Sequence, residues 1–172
     1  MIHIITTHKG VEMTGNVQNL KCGESYLVIG KSIDEAYAIF SKFISEDKKG
    51  LIIGRDHPKK SIGEKNKNIK SIWITNISSE SEHLQPHELE QLSYNIEQFM
   101  AQNEKSAVFL LSVEYLVSFN SFKEILHIIQ TTKDLAAEHN VMFLTYIGVN
   151  TLDSQEENLL RQELTVVGEH NE

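Results

Sequence analysis

The sequence has few of the residues that stabilise small secreted proteins and few of those that bind polyanions. Only one of its 172 residues, Cys22, is a cysteine. No internal disulfide can therefore form, and a single thiol is typical of a protein in a reducing compartment. Lysine and arginine number 16 against 24 aspartate and glutamate, so the net charge is -8. Such a chain lacks the basic surface that neutralises nucleic-acid phosphates, so we expect no nucleic-acid partner.

Long apolar runs are also missing. Runs such as "AVFLL" at 107–111 are far shorter than the roughly 20 residues that cross a bilayer. The first ten residues, "MIHIITTHKG", lack a basic start followed by an apolar stretch, so we expect no signal peptide. These absences together predict a cytoplasmic protein with no membrane partner.

The composition that remains is that of a soluble globular protein. Hydrophobic residues make up 40% and charged residues 23% of the chain, both ordinary values. The length favours a single domain over residues 1–172. Within it we distinguish an N-terminal extension, 1–22, from a core, 23–167, because no repeat, low-complexity tract or linker divides the rest of the chain.

Short apolar segments alternate with amphipathic ones along the core. The apolar runs predict buried strands at 25–30, 50–54, 71–75, 106–111 and 141–149, with "LTVV" at 164–167 as a candidate for another. Helical spacing predicts helices from Ser32, from Pro86, over 122–139 and in the acidic segment 151–164. The N-terminal segment "IHIITT" is also strand-like. The alternation predicts an α/β fold, a three-layer sandwich with a mainly parallel sheet of five or more strands.

The motif Gly30-Lys31-Ser32 lies between a predicted strand and a predicted helix, where a phosphate-binding loop G-x-x-x-x-G-K-[ST] would lie. Neither alignment to that loop fits. Aligned on the Lys-Ser pair, the first glycine is Ser25; aligned on Gly30, the later glycine is Glu35. A carboxylate at that position would repel phosphates at a helix N-terminus. We interpret the motif as a turn and helix cap, with Glu35 completing a capping box that Ser32 begins.

The second half of a P-loop site is an aspartate at the end of a buried strand, where it holds Mg²⁺. In "AVFLLSVEYL" the corresponding residue is Ser112, and Glu114 follows two residues later, where it could face the same side of the strand. A lone glutamate at a strand end is usually a cap or a surface group. Both halves of the site are missing, so we expect no cofactor and no metal.

Arg55, Asp56 and His57 follow the second predicted strand in "GRDHP". This loop would stand at the carboxyl edge of the sheet, where open α/β folds bind ligands. Asp-His-Pro is equally typical of a solvated turn. We expect that a small acidic ligand, if one binds, lies between this loop and the Gly-Lys-Ser turn.

Three further features have ordinary structural explanations. His83 and His87 are four residues apart, but Pro86 lies between them and no third ligand is evident, so we expect no zinc site. Trp73 in "SIWIT" is predicted to be in the core. The apolar segment 115–122 is expected either to lie under the following helix or to form a patch for a partner or for self-association.

The order of these segments resembles the core of the RecA/KaiC-like ATPases over about residues 23–167. More closely, the chain resembles the archaeal domain of unknown function 835, through "LIIGRDHP", "LEQLSYNIEQF", "VEYLVSFNSFKEILHIIQTTKDL" and "LDSQEENLLRQEL". Members of that family occur alone or joined to sensor and histidine-kinase modules, so the resemblance implies signal transduction without implying a reaction. Members often carry aspartate where this chain has Ser112. In KaiC-like enzymes, catalytic carboxylates lie near the position of Asp56.

We therefore expect a non-enzymatic regulatory module of archaeal type, a degenerate ATPase-like fold that binds a protein partner of a signalling system or a small ligand. A homo-oligomer is compatible with this expectation, since the related ATPases work as rings. Two alternatives stay open. One is a nucleotide-binding switch with a degenerate P-loop; the other is an enzyme that uses Asp56, His57 and Glu114 as acid–base groups.

Overall fold

The computed structural model describes residues 19–44 and 47–169, which contain seven strands and five α-helices. The strands are β1 (Ser25–Gly30), β2 (Gly50–Gly54), β3 (Ile69–Ile74), β4 (His83–Leu84), β5 (Ala107–Leu110), β6 (Met142–Gly148) and β7 (Thr165–Glu169). The helices are α1 (Asp34–Phe43), α2 (Leu89–Gln102), α3 (Val113–Val117), α4 (Phe122–Glu138) and α5 (Ser154–Glu163). Two 3-10 turns, Pro58–Lys60 and Ile62–Glu64, lie between β2 and β3. The predicted strand at 2–7 falls outside the described residues.

All seven strands are parallel and form one sheet in the order β4-β3-β2-β5-β6-β1-β7. β1 therefore lies inside the sheet, between β6 and β7. Parallel strands are covered on both faces, which explains why β1, β2 and β5 are buried along their whole length and read as unbroken apolar runs. The predicted α/β sandwich is confirmed, and the sheet exceeds the five strands that the sequence required.

Each face of the sheet has its own apolar core. On one face α1 packs against the centre of the sheet, where Phe40 stacks on Phe109 with 5.2 Å between ring centroids. On the other face, α2, α3, α4 and α5 pack over the strand side chains that point to that face. The core there includes Ile96 of α2 and Ile129 of α4. Burial of each such side chain stabilises the fold by about 1.5–3 kcal/mol. The two cores make the strands a rigid support for the loops at both ends of the sheet.

Two of the five described helices begin with a side-chain cap. Helix α4 begins with a capping box in which Ser121 and Glu124 exchange hydrogen bonds, and Asp153 caps α5 in the same way. The capping box predicted for α1 is wrong. That helix begins at Asp34 after Ile33, and the Ser32 hydroxyl only accepts a bond of 3.2 Å from the Asp34 amide. The box does not form because the Glu35 side chain is buried instead of turning back to the helix start.

Four other expectations need correction. Helix α2 begins at Leu89, since Pro86 belongs to the preceding turn. The two-residue strand β4 lies where the sequence analysis predicted neither a strand nor a helix. β5 ends at Leu110 and the chain then turns into α3, so Glu114 lies on a helix and not on a strand. Trp73 is only half-buried, because β3 lies near the sheet edge, beyond the reach of α1.

Candidate functional site

The candidate residues from the sequence do lie at one edge of the sheet. Because the strands are parallel, the ends of β1, β2, β5 and β6 all meet there, and we call it the carboxyl edge. It carries the Gly30 turn after β1, the Arg55 loop after β2 and Ser112 after β5. However, β5 and β6 separate β1 from β2. Three strand spacings of about 4.8 Å place the two predicted ligand-binding loops roughly 14 Å apart.

A buried carboxylate fills the junction after β1. Glu35, in the first turn of α1, is only 7% exposed. A Cβ built on Gly30 would lie 3.8 Å from its Oε2, and one built on Gly168 of β7 would lie 2.6 Å from its Oε1. Lys31 and Ser32 themselves are exposed. The room that a P-loop gives to phosphate is thus occupied by a negatively charged side chain of the chain itself.

Tyr146 also contacts the end of β1, on the same side as Glu35. Its hydroxyl donates a bond of 2.8 Å to the Gly30 carbonyl, which also accepts from the Val149 amide at 3.1 Å. Burial raises the pKa of Tyr146, and nearby carboxylates, with Glu114 first, act in the same direction. The phenol therefore stays neutral and serves as a donor.

Arg55 joins three elements of the carboxyl edge. Its guanidinium donates a bond of 2.8 Å to the carbonyl of Ile74, the last residue of β3. The same group lies 3.9 Å from the centroid of the Tyr115 ring on α3, a cation–π contact. Its own carbonyl accepts a bond of 3.0 Å from Trp73 Nε1. The positive charge proposed for ligand binding is thus used to tie β2, β3 and α3 together.

The two acid–base candidates beside Arg55 are engaged in the same way. Asp56 Oδ2 accepts a bond of 3.0 Å from the Tyr37 hydroxyl on α1. Burial first, and then the hydrogen bond and charge of Asp56, raise the pKa of Tyr37. His57 Nδ1 accepts from the Lys59 amide at 3.2 Å and caps a 3-10 turn, while its ring lies 4.7 Å from that of Trp73. Asp56 therefore joins the loop after β2 to α1, and His57 fixes the backbone of the 3-10 turn.

Ser112 and Glu114 both follow the end of β5, where a P-loop enzyme holds its metal ion. Ser112 is 2% exposed, and its hydroxyl has no hydrogen-bond partner within the described structure. Glu114 Oε1 accepts from the Gly148 amide at 2.7 Å and from Thr151 Oγ1 at 2.9 Å. This carboxylate thus joins α3 to the loop after β6. The role of Thr151 was missed, because no local pattern links it to a residue so far away in the sequence.

Of the two remaining candidate histidines, His83 lies opposite Trp73, with 6.3 Å between the ring centroids. His83 Nδ1 is 2.8 Å from the Ser81 carbonyl, and His87 is exposed. Among the described residues, no three His, Cys, Asp or Glu side chains are grouped so that they could hold a metal ion. None of the helices in residues 19–44 and 47–169 is long and apolar enough to cross a membrane. Cys22 is half-buried against the core under α1.

Two concave surfaces that the sequence did not predict lie away from the carboxyl edge. The α2–α4 groove has a volume of about 430 Å³ and is lined by Leu89, Glu90, Ser93, Tyr94, Glu97, Glu124, His127 and Ile128. The amino-edge cavity, of about 390 Å³, lies where β2 and β3 begin, and its lining is given below. Both form where α2 packs on its neighbours, so only the helical spacing of Glu90, Tyr94 and Glu97 could have indicated the groove beforehand.

These features define an α/β domain with an all-parallel sheet between two helical layers. The family model for a protein of unknown function, DUF835, matches residues 29–164, and the chain belongs to that family. The predicted family is therefore confirmed. A solved structure from a structural study of Pyrococcus horikoshii OT3 (Project ID PH0250) is similar in fold, with a TM-score of 0.58 and 12% identity over 85% of this chain and 81% of that one. No curated protein matches the sequence.

Proposed function

We propose that the chain is a non-catalytic regulatory module of a signalling system, which binds a basic amphipathic helix of a protein partner in the α2–α4 groove. The observation that carries this proposal is the groove itself, with its apolar floor and acidic walls. Amphipathic helices bind such grooves through anchors spaced at three and four residues.

The walls of the groove come from regularly spaced residues of two helices. On α2, Glu90, Tyr94 and Glu97 lie three or four residues apart and so share one face. Tyr94 is 55% exposed, a high value for a large aromatic side chain, and tyrosine is enriched where proteins bind each other. On α4, His127 and Ile128 face it across the groove. The exposed aromatic ring beside an apolar floor suits an apolar anchor of a partner helix.

The charges around the groove favour a basic partner. Three glutamates line it, Glu90, Glu97 and Glu124, and none of the lysines or arginines that the structure describes does. The chain as a whole carries a net charge of -8. Complementary charge speeds encounter and disfavours acidic competitors.

The proposal of a non-catalytic module is supported by the hydrogen bonds in which the acid–base candidates are engaged. Asp56 accepts from Tyr37, His57 caps a turn, and Glu114 accepts two bonds from the loop after β6. Each of these groups has a structural partner. Turnover of a substrate that is lost in Asp56→Asn, with stability unchanged, would overturn this part of the proposal.

A peptide display library of amphipathic helices, selected on the wild-type chain, tests the groove. We expect enrichment of peptides with lysine or arginine beside leucine or phenylalanine anchors. Synthetic peptides from that selection should bind Tyr94→Ala and Glu90→Lys/Glu97→Lys at least tenfold more weakly, as measured by fluorescence anisotropy.

The matched control is Glu80→Lys/Glu138→Lys, which makes the same change of charge at two exposed residues outside the groove. It should keep the wild-type affinity. Enriched peptides that are acidic, or that bind all variants equally, would contradict the proposal, as would a selection that enriches no sequence at all.

A further inference from the structure

The amino-edge cavity lies at the opposite end of the sheet from the carboxyl edge. Its walls are the first residues of β2 and β3, the chain that leads into them, and the C-terminal half of α2. At about 390 Å³ it is within the size range of small-molecule sites. The lining consists of Lys49, Gly50, Leu51, Lys67, Asn68, Ile69, Lys70, Ile72, Asn95, Gln98, Phe99, Gln102 and Asn103.

The polar part of this lining is basic and rich in carboxamides. Three lysines, Lys49, Lys67 and Lys70, contribute positive charge, and no carboxylate lines the cavity in the part of the chain that the structure describes. In a chain with a net charge of -8, such a concentration of one sign is unusual. Lys70 pairs with Glu82 at 3.0 Å, with both side chains more than half exposed. An exposed ion pair of this kind contributes little to stability, so Lys70 can leave Glu82 to contact a ligand.

The other two lysines and several amides keep their donors available. Neither Lys49 nor Lys67 makes an ion pair within residues 19–44 and 47–169. Asn95 accepts at Oδ1 from Gln91 at 3.3 Å, which leaves its NH₂ group to donate. Asn103 donates to the Phe99 carbonyl at 2.8 Å and is held in place by that bond. A cavity lined by such donors, with three lysines and no carboxylate in its described lining, attracts an anion.

We propose that the amino-edge cavity binds a small phosphate-bearing molecule. Lysine binds phosphate as a point charge, whereas planar carboxylates are recognised best by the arginine fork. Among the described residues, no arginine lines this cavity. The amides of α2 and the Phe99 ring supply the polar and apolar contacts for the rest of the molecule. The site shares helix α2 with the α2–α4 groove but no lining residue, so the two proposals stand or fall separately.

The probe is pyrophosphate. Its binding is measured by isothermal titration calorimetry and by NMR of the side-chain amides. We expect saturable binding to the wild-type chain that shifts the amide signals of Asn95 and Gln98. Lys49→Gln/Lys67→Gln should bind about tenfold or more weakly, since each lysine lost removes about one unit of charge near the anion. The matched double variant Lys42→Gln/Lys123→Gln, with the same loss of charge on exposed positions of α1 and α4, should bind as the wild type does.

Three results would overturn this proposal. One is the lack of any saturable binding at millimolar pyrophosphate. Another is an equal loss of affinity in both double variants, which would indicate only non-specific attraction by net charge. The third is binding of citrate in preference to pyrophosphate, which would make the site one for carboxylates. The groove variant Tyr94→Ala should leave pyrophosphate binding unchanged, so failure of the partner proposal remains distinguishable.

Discussion

The two ends of the same sheet use charged side chains in opposite ways. At the carboxyl edge, Arg55, Asp56 and Glu114 are each bonded to another part of the chain. At the amino edge, Lys49 and Lys67 line a cavity without an ion pair among the described residues. Open α/β folds usually bind ligands at the carboxyl edge. Here that edge is closed by internal contacts, so the unsatisfied charges, and not the customary location, indicate where a ligand binds.

The largest effect is expected for Glu114→Ala at the carboxyl edge. This change leaves the Gly148 amide without its acceptor, and the Thr151 hydroxyl keeps only the Gly148 carbonyl. Because these hydrogen bonds are charge-assisted, we expect the free energy of unfolding to fall by about 2 kcal/mol. Urea unfolding measures it, with Glu138→Ala on the exposed face of α4 as the control. An unchanged stability would mean that the carboxylate is not structural and would reopen its candidacy as a catalytic group.

Arg55→Met should have the next largest effect, a loss of about 1–2 kcal/mol. The variant keeps an apolar stem but loses the bond to the Ile74 carbonyl and the contact with the Tyr115 ring. The same substitution at Arg161 removes a pair with Glu157 one helical turn away. Such a pair contributes about 0.3–0.5 kcal/mol. Equal losses in the two variants, measured by urea unfolding, would contradict a structural role for Arg55.

Tyr37→Phe should cost about 1 kcal/mol at neutral pH, since it removes the bond to Asp56. It should also reduce the sensitivity to alkali. The pKa of Tyr37 is raised above its ordinary value of 10.0. The folded state therefore favours the neutral phenol, and this stability is present below about pH 10 and lost as the pH rises further, because the unfolded chain ionises first.

Urea midpoints at about pH 8 and pH 10.5 check this prediction. The wild-type chain should lose more stability between the two values than Tyr37→Phe does. Some alkaline sensitivity should remain, because burial also raises the pKa of Tyr26 and Tyr146. A variant as sensitive to alkali as the wild type would indicate that the Tyr37 hydroxyl is accessible and not held by Asp56.

The lysines of the amino edge should contribute almost nothing to stability. We expect Lys49→Gln/Lys67→Gln to unfold within about 0.5 kcal/mol of the wild type, as is usual for exposed changes without partners. Both side chains are exposed. Thermal and urea unfolding at neutral pH check this. A loss as large as that of Glu114→Ala would mean that the cavity is a structural feature, and the contrast between the two ends would disappear.

The smallest effect concerns nucleotides at the carboxyl edge, where we expect none. The measurement is the melting temperature of Lys49→Gln/Lys67→Gln with millimolar Mg-ATP, Mg-GTP or Mg-ADP, since this variant weakens any contribution from the amino-edge cavity. A ligand at about a hundred times its dissociation constant would add roughly 2.7 kcal/mol, or several degrees for a chain of this length. Such a shift would show that phosphates enter despite Glu35, and the degenerate P-loop would become a nucleotide switch.

The fold class could be predicted from the sequence because the patterns that indicate strands and helices are local. Unbroken apolar runs and helical spacing located every long strand and helix, but β4 has two residues and α3 has five, too few for a periodic pattern to emerge. Ser32 and Glu35 match the capping-box pattern, yet burial of Glu35 against β7 overrides it. That contact joins residues 35 and 168, and no local pattern predicts it.

The site was harder to predict because strand order is a tertiary property. The sequence correctly brought the Gly30 turn and the Arg55 loop to one edge, but nothing in it placed β5 and β6 between them. The engagement of Asp56 by Tyr37 depends on where α1 crosses the sheet. The α2–α4 groove and the amino-edge cavity arise only after the helices have packed, so single-sequence patterns contain little of either.

The position of β1 has a consequence for how the chain comes to be folded. This strand hydrogen-bonds only to β6 and β7, whose residues Leu144 and Thr165 pair with Tyr26. A ribosome must therefore synthesise more than a hundred further residues before the first strand finds a neighbour. Contacts so distant in sequence slow folding, and until they form, the apolar segment "YLVI" needs protection from aggregation. Expression of fragments that stop before β6 should accordingly yield insoluble chains.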